Sequence, residues 1–147
     1  MSPLDRAVLA ERAAALRRHL TRVAEKLPPH PDQFAASSDA TDAVVLHLWQ
    51  ATQIVIDLAV AACAVHQLGT PQAYADAFRR LQRAGLLDQA LADRLVKAAG
   101  FRNLVAHAYD TLDLARVHRA ATTGPADLLA FFAAIEQLNP PSDEERV

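Results

Sequence analysis

Residues 40–68 read ATDAVVLHLWQATQIVIDLAVAACAVHQL, a run that contains neither proline nor glycine. Apolar residues occupy almost every face of a helix drawn through this run, and such a helix is central in a small protein or lies in a subunit interface. Its most apolar part, residues 51–65, is interrupted by Gln53 and Asp57 and is shorter than the ~20 residues that a membrane span requires. We therefore expect a buried core helix and no membrane segment.

The composition extends this expectation to the whole chain. With 147 residues, of which 52% are hydrophobic, the chain is long enough for one domain with its own core. It contains only four glycines, which excludes the glycine-rich phosphate loops of nucleotide-binding enzymes. Aromatic residues make up 5% of the chain, too few for a typical β-sandwich or barrel. The sequence therefore predicts an all-α protein.

Prolines and glycines mark the expected breaks between helices. We expect helices over about residues 4–27, 40–68, 72–84, 88–109, 114–121 and 125–138. The expected end signals are an N-cap at Ser37, Ser38 or Asp39, a C-terminal Gly85, an N-cap at Asp113, and Pro125 in the first turn of the last helix after Thr123 or Gly124. Residues 1–138 are expected to form a single domain, and residues 139–147 a flexible acidic tail.

Charge and cysteine content limit the class of function. The single cysteine, Cys63, excludes an intramolecular disulfide and a cysteine-based zinc site, and a charged N-terminal stretch argues against a signal peptide. We therefore expect a cytoplasmic protein. The net charge of -2 argues against a protein that coats nucleic acid, although it leaves room for a small basic site.

One segment, residues 101–109, combines several groups that carry chemistry: it reads FRNLVAHAY. On a helix, its apolar residues form one face that packs on the core, whereas the polar residues fall on the opposite sector. That sector carries Arg102, Asn103, His107 and Tyr109. Asn103 and His107 lie four residues apart, close enough on a helix for a hydrogen bond. The segment therefore predicts a pocket for a phosphate group.

Two of these side chains suffice for cleavage of RNA without a metal. Imidazole exchanges protons readily at neutral pH, so His107 is expected to orient or deprotonate a ribose 2′-hydroxyl that attacks the adjacent phosphorus. The guanidinium of Arg102 would stabilise the charge on the non-bridging oxygens. Because one histidine does not easily serve as both base and acid, a second copy of the chain would supply the other proton-transfer group.

These residues also carry a resemblance to a known family. The stretch RNLVAHAY matches the pattern R-x4-H-x-Y, with Arg102, His107 and Tyr109 in register. The stretches LHLWQATQIVIDLA and YADAFRRLQRAGLLDQALADRLVKAAGFRN are similar to the second helix and to the region before the motif. Over roughly residues 40–135 the chain therefore resembles the HEPN superfamily, and within it the HepT-type toxins of MntA–HepT toxin–antitoxin systems.

The resemblance implies an antiparallel helical bundle of about five to six helices that forms a homodimer with the two motifs facing each other. It implies a ribonuclease toxin of a type VII system that needs neither metal nor cofactor. It further implies a nucleotidyltransferase antitoxin that transfers AMP to Tyr109, where the added anion would occupy the phosphate site beside Arg102. The chain departs from the family in having Ala106 and Ala108, and in the Gly124–Pro125 pair within its last helical region.

For several polar residues, the sequence allows both a functional and a structural role. Asp57 lies in an apolar helix, where it either orients Arg102 or another motif residue or is solvated at a groove. His47, Gln50, Gln53 and Asp57 share a face, and this stripe is expected to line the dimer cleft. Arg79, Arg80 and Arg83 contact RNA or the antitoxin, or form a solvated face, which is the simpler reading. Trp49 and Cys63 are expected in the core, and His19, His30, His66 and His118 receive no role.

A second function class remains open from the residues alone. The chain could be a non-catalytic helical module that binds a nucleotidyltransferase, with Tyr109 serving only as the acceptor of a modification. Assay of RNA cleavage by the purified chain separates this alternative from a ribonuclease.

Overall fold

The computed structural model describes residues 4–138, which form a helical bundle with no strand among them. Its five α-helices are α1 (Arg6–Lys26), α2 (Asp39–Val65), α3 (Tyr74–Arg83), α4 (Gln89–Ala108) and α5 (Leu114–Gln137). Single-turn 3-10 helices cover Pro31–Gln33 and Tyr109–Thr111. The all-α prediction is confirmed, and residues 139–147, predicted as an acidic tail, lie outside the described residues.

The helix ends lie close to where the sequence signals predict them. The side chains of Ser38, Asp88 and Asp113 accept hydrogen bonds from the first turns of α2, α4 and α5, over 3.1, 2.7 and 3.0 Å. These bonds satisfy backbone N–H groups that have no partner inside the helix. Gly85 follows α3 with a φ of +80°, a conformation that glycine adopts without strain.

The predicted break in the last helical region is wrong, because α5 continues through Pro125. A proline inside a helix removes one backbone hydrogen bond and costs about 3 kcal/mol. The buried residues of α5 are Val117, His118, Ala121, Leu128, Phe131, Phe132 and Ile135. They form one stripe on both sides of the proline, so a break at Pro125 would lift half of the helix from the core. Burial of this stripe outweighs the cost of the proline.

Two apolar clusters hold the bundle together, and the smaller one supports the motif. The larger cluster includes Phe78 of α3 and Phe131 of α5, whose rings meet edge to face at 5.7 Å. The smaller cluster joins the first half of α2, including Val44, to Phe101 and Val105 of α4 and to α5. The C-terminal half of α4 is therefore anchored independently of the rest of the core.

The central helix α2 is the only helix of residues 4–138 whose length and hydropathy match a membrane span. In the bundle, 56% of its most apolar window is buried. It packs against α1, α3, α4 and α5, as expected for the core helix predicted from residues 40–68.

Candidate active site

The motif occupies the C-terminal end of α4. Phe101 and Val105 are 6% and 7% exposed and fix this end of the helix to the core, as predicted from their spacing. Asn103 and His107 are exposed, and Tyr109 begins the 3-10 turn that follows the helix. Asn103 and His107 therefore face solvent from a helix whose opposite side is anchored to the core, whereas Arg102 is half-buried.

Arg102 is held by a chain of hydrogen bonds that begins on α2. Its Nε donates to Oε1 of Gln53 over 2.8 Å, and Nε2 of Gln53 donates to Oδ1 of Asp57, also over 2.8 Å. Because the carboxylate of Asp57 only accepts, it fixes the amide of Gln53 with its oxygen toward Arg102. Asp57 is exposed, as the solvated interpretation expects, and its link to Arg102 runs through Gln53, so both interpretations of Asp57 stay open.

Two aromatic rings flank the same guanidinium. The Cζ atom of Arg102 lies 5.1 Å from the ring centroid of Trp49 and 5.2 Å from that of Tyr74. These distances are within the range of cation–π attraction. Trp49, expected only in the core, thus also contacts the guanidinium of Arg102. Tyr74, at the start of α3, makes a second such contact, which the sequence did not indicate. The position of Trp49 four residues before Gln53 was a usable signal, since residues at this spacing share a helix face.

No carboxylate pairs with Arg102 among residues 4–138. Its one further polar contact in this range is Nη1 to Oδ1 of Asn103 at 3.4 Å. The rings and the amide fix the position of the guanidinium while leaving its positive charge uncompensated. Such an arrangement suits the binding of an anion.

His107 is exposed and forms no hydrogen bond within the part of the chain that the structure describes. The spacing of Asn103 and His107 allows a hydrogen bond between them, but among these residues the Asn103 side chain contacts Arg102 instead. His107 therefore stands on the same helix as Arg102, five residues further on, with its ring available to a bound molecule.

Tyr109 is bound to a residue that the sequence analysis did not identify. Its hydroxyl donates to Oδ1 of Asp42, in the first turn of α2, over 2.5 Å. This hydrogen bond raises the pKa of Tyr109 to about 12, and partial burial and the negative charges of Asp42 and Asp110 act in the same direction. The phenol ring itself remains 45% exposed.

The predicted polar stripe of α2 divides between two environments. Gln53 and Asp57 belong to the support of Arg102, whereas His47 faces α1, where its Nδ1 lies 3.0 Å from Nδ1 of His19. Burial, followed by the nearby His47 and Arg18, lowers the pKa of His19. His19, which received no role from the sequence, therefore contacts His47. Among residues 4–138, no group of three or more His, Cys, Asp and Glu side chains is arranged to hold a metal ion.

The arginines of α3 have structural partners. Arg79 pairs with Asp93 at 2.6 Å, while Arg80 and Arg83 pair with Asp76 at 2.8 and 3.4 Å. Nη1 of Arg80 also donates to the carbonyl oxygen of Leu68 over 2.8 Å. These contacts support the structural interpretation of the cluster over a binding site for RNA or the antitoxin.

A cavity of about 630 Å³ opens between α4 and α5. Its walls carry Arg94, Lys97, Arg116 and Arg119, and its floor includes Leu48 and Phe101. None of the polar motif side chains lines it. We therefore place the candidate chemistry at the exposed end of α4 and not in this cavity.

Comparison with known proteins places this geometry in context. A family model described as ribonuclease HepT-like matches residues 16–135. The mRNA nuclease HepT of Shewanella oneidensis is 31% identical over 107 residues, which are 73% of this chain and 80% of that protein.

Chains of similar fold occur in solved toxin–antitoxin structures. A crystal structure of a toxin–antitoxin with AMP-PNP contains a chain that is 28% identical, with a TM-score of 0.79 over 88% of this chain and 97% of that one. The structure of a tri-AMPylated Shewanella oneidensis HEPN toxin in complex with MNT antitoxin has 29% identity and a TM-score of 0.78, over 88% and 96% of the two chains.

Proposed function

Since the chain belongs to the HepT-like ribonuclease family, we propose that it is an endoribonuclease toxin that a nucleotidyltransferase antitoxin neutralises by adenylylating Tyr109. The observation that carries this proposal is the guanidinium of Arg102, which is fixed by Gln53, Trp49 and Tyr74 yet has no counter-charge among residues 4–138. Its position on one helix with an exposed His107 provides an anion site next to a proton-transfer group.

In the proposed reaction, the imidazole of His107 accepts the proton of a ribose 2′-hydroxyl. The 2′-oxygen then attacks the adjacent phosphorus in line, and the bond from phosphorus to the 5′-oxygen breaks. Arg102 stabilises the negative charge that develops on the non-bridging oxygens. The products are a 2′,3′-cyclic phosphate and a 5′-hydroxyl, and the reaction requires no metal ion.

Cleavage by this route also requires an acid that protonates the leaving 5′-oxygen. In a homodimer, the second copy of the motif supplies this group. The exposed face of α2 supports such a dimer, because Leu46 and Val60 are 49% and 37% exposed and lie seven residues to either side of Gln53. Apolar residues on this face bring the two Arg102 sites together when two copies of α2 associate.

The double variant Leu46→Asp, Val60→Asp is expected to weaken dimerisation at least tenfold, because it places carboxylates of both copies in one apolar contact. Light scattering after size-exclusion chromatography measures the effect. Leu129→Asp is the matched control, since Leu129 is 40% exposed on α5, and this variant should remain a dimer. A monomeric wild-type chain at high concentration would refute the dimer.

Adenylylation of Tyr109 fits the same site. Tyr109 lies two residues after His107, and the residue as a whole is 45% exposed, so it lies at a surface that a second protein can reach. The added AMP places a bulky anion at the His107 end of the motif, where it blocks the approach of RNA to the site. The modified hydroxyl lies against Asp42 at the start of α2, whereas Arg102 is held by Gln53 further along the same helix. The AMPylated state of the structurally similar Shewanella toxin supports this mode of control, and the proposed setting is the cytoplasm, where RNA and ATP are both available.

The decisive experiment incubates the purified chain with single-stranded RNA in the presence of EDTA. We expect cleavage and products that end in a 2′,3′-cyclic phosphate, identified by mass spectrometry. Cleavage that EDTA abolishes would contradict the metal-independent reaction. Intact RNA in every condition, together with AMP transfer to the chain, would favour the alternative of a non-catalytic module that binds a nucleotidyltransferase.

A further inference from the structure

The contact between Asp42 and Tyr109 joins the start of α2 to the end of α4, two helix ends that are far apart in the sequence. Asp42 lies in the first turn of α2, and its backbone N–H is bound to the carbonyl oxygen of Ser38 over 3.0 Å. Its carboxylate is therefore fixed to a rigid element, while the tyrosine follows the end of α4. The hydroxyl proton of Tyr109 already points at an oxygen that can accept it.

From this geometry we infer that Asp42 is the proton acceptor for adenylylation of Tyr109. The inference rests on the proposed function, in which a nucleotidyltransferase brings ATP to this tyrosine. It assigns part of the chemistry to the toxin itself, because the base that activates the nucleophile is a residue of the chain that is modified.

The step balances without any further reactant. As the phenolic oxygen of Tyr109 attacks the α-phosphorus of ATP, its proton passes to the carboxylate of Asp42. A bond forms between that oxygen and the α-phosphorus, and the bond from the α-phosphorus to the bridging oxygen of the β-phosphate breaks. Pyrophosphate leaves, and the protonated Asp42 returns its proton to solvent.

The phenol of Tyr109 must lose its proton during the transfer. Its ordinary pKa already lies well above neutral pH, and the contact with Asp42 raises it further, so the free phenolate is rare at neutral pH. Of the charged groups that act on Tyr109, Asp42 contacts the hydroxyl directly and Asp110, the next residue, contributes only its charge. A proton acceptor in direct contact removes this barrier during the transfer itself.

The test compares wild type with Asp42→Asn, a variant that keeps the size of the side chain but removes the base. AMP incorporation is measured with Mg²⁺-ATP and the antitoxin nucleotidyltransferase that the proposed function requires, and Tyr109→Phe confirms the site. We expect Asp42→Asn to lower the rate at least about 100-fold with little change in the KM for ATP. Asp39→Asn, in the same first turn of α2, should retain the wild-type rate.

The pH dependence distinguishes a base from a merely structural contact. Without Asp42, the reaction depends on the ionised fraction of the phenol, so the rate of Asp42→Asn should rise about tenfold per unit between about pH 7 and 9, more steeply than that of wild type. Equal rates or equal pH profiles for the two proteins would overturn the role of Asp42. Absence of any modification of wild type would instead overturn the antitoxin mechanism in the proposed function.

Discussion

Replacing Arg102 by alanine is expected to lower kcat/KM for RNA cleavage by about 100- to 1,000-fold, the usual cost of removing one group that stabilises transition-state charge. The loss should appear in kcat, because further charge on the non-bridging oxygens develops during the reaction, and also in KM, because Arg102 binds the charge that the phosphate already carries. The fold should survive, since the lost contacts with the rings of Trp49 and Tyr74 are worth about 0.5–1 kcal/mol each near a protein surface. Cleavage kinetics and thermal unfolding measure the two effects separately.

A lysine at position 102 tests whether charge alone is sufficient. Lysine keeps the positive charge but lacks the planar group that binds two phosphate oxygens, and it cannot reproduce the Nε–H bond to Gln53. We expect Arg102→Lys to lose nearly as much activity as Arg102→Ala, and Arg17→Ala, an exposed arginine on α1, to lose none. Near-normal activity of the lysine variant would show that the orientation imposed by Gln53, Trp49 and Tyr74 has no catalytic value.

The helices could be predicted from the sequence because their signals are local. Ser38, Asp88 and Gly85 act on the backbone within a few residues, so the ends of α2, α3 and α4 follow from short patterns. Pro125 shows where such reasoning fails. Its local effect favours a break, but the stripe of buried residues on both sides of it is satisfied only by tertiary contacts with the other helices.

The same distinction applies to the candidate site. Arg102, His107 and Tyr109 lie within eight consecutive residues and were recognisable as a motif. Their supports were not, because Gln53 is 49 residues from Arg102 and Asp42 is 67 residues from Tyr109. A single sequence does not indicate which polar residue of α2 contacts which residue of α4. Their helical spacing indicated that Gln53 and Asp57 share a face of α2, but we expected that face only to line the dimer cleft, and not to support Arg102.

Gln53 and Asp42, which contact Arg102 and Tyr109, both belong to α2. The central helix therefore positions side chains of the motif in addition to forming the core. Gln53, halfway along α2, holds the guanidinium that we propose binds phosphate, and Asp42, at its start, holds the hydroxyl that we propose is modified. Phe101 and Val105 anchor α4 against the same helix. The distance between the proposed catalytic group and the proposed site of modification is therefore set by a rigid element and not by the turn that follows α4.

Replacing His107 by alanine should reduce kcat for RNA cleavage by about 100- to 10,000-fold, the range attributed to general acid–base catalysis. The KM for RNA should change little, because Arg102 and not His107 supplies the charge that binds phosphate. Stability should be unaffected, since the imidazole is exposed and forms no hydrogen bond within residues 4–138. His66→Ala is the matched control, as His66 is an exposed histidine at the end of α2.

Added imidazole tests whether His107 acts by proton transfer. If His107 transfers a proton, free imidazole should restore part of the activity of His107→Ala in proportion to its concentration, but none of the activity of Arg102→Ala. Full activity of His107→Ala without imidazole would exclude His107 from the reaction. Proton transfer would then have to come from another group near Arg102, and the exposed Asn103 cannot provide it because an amide neither accepts nor releases a proton at neutral pH.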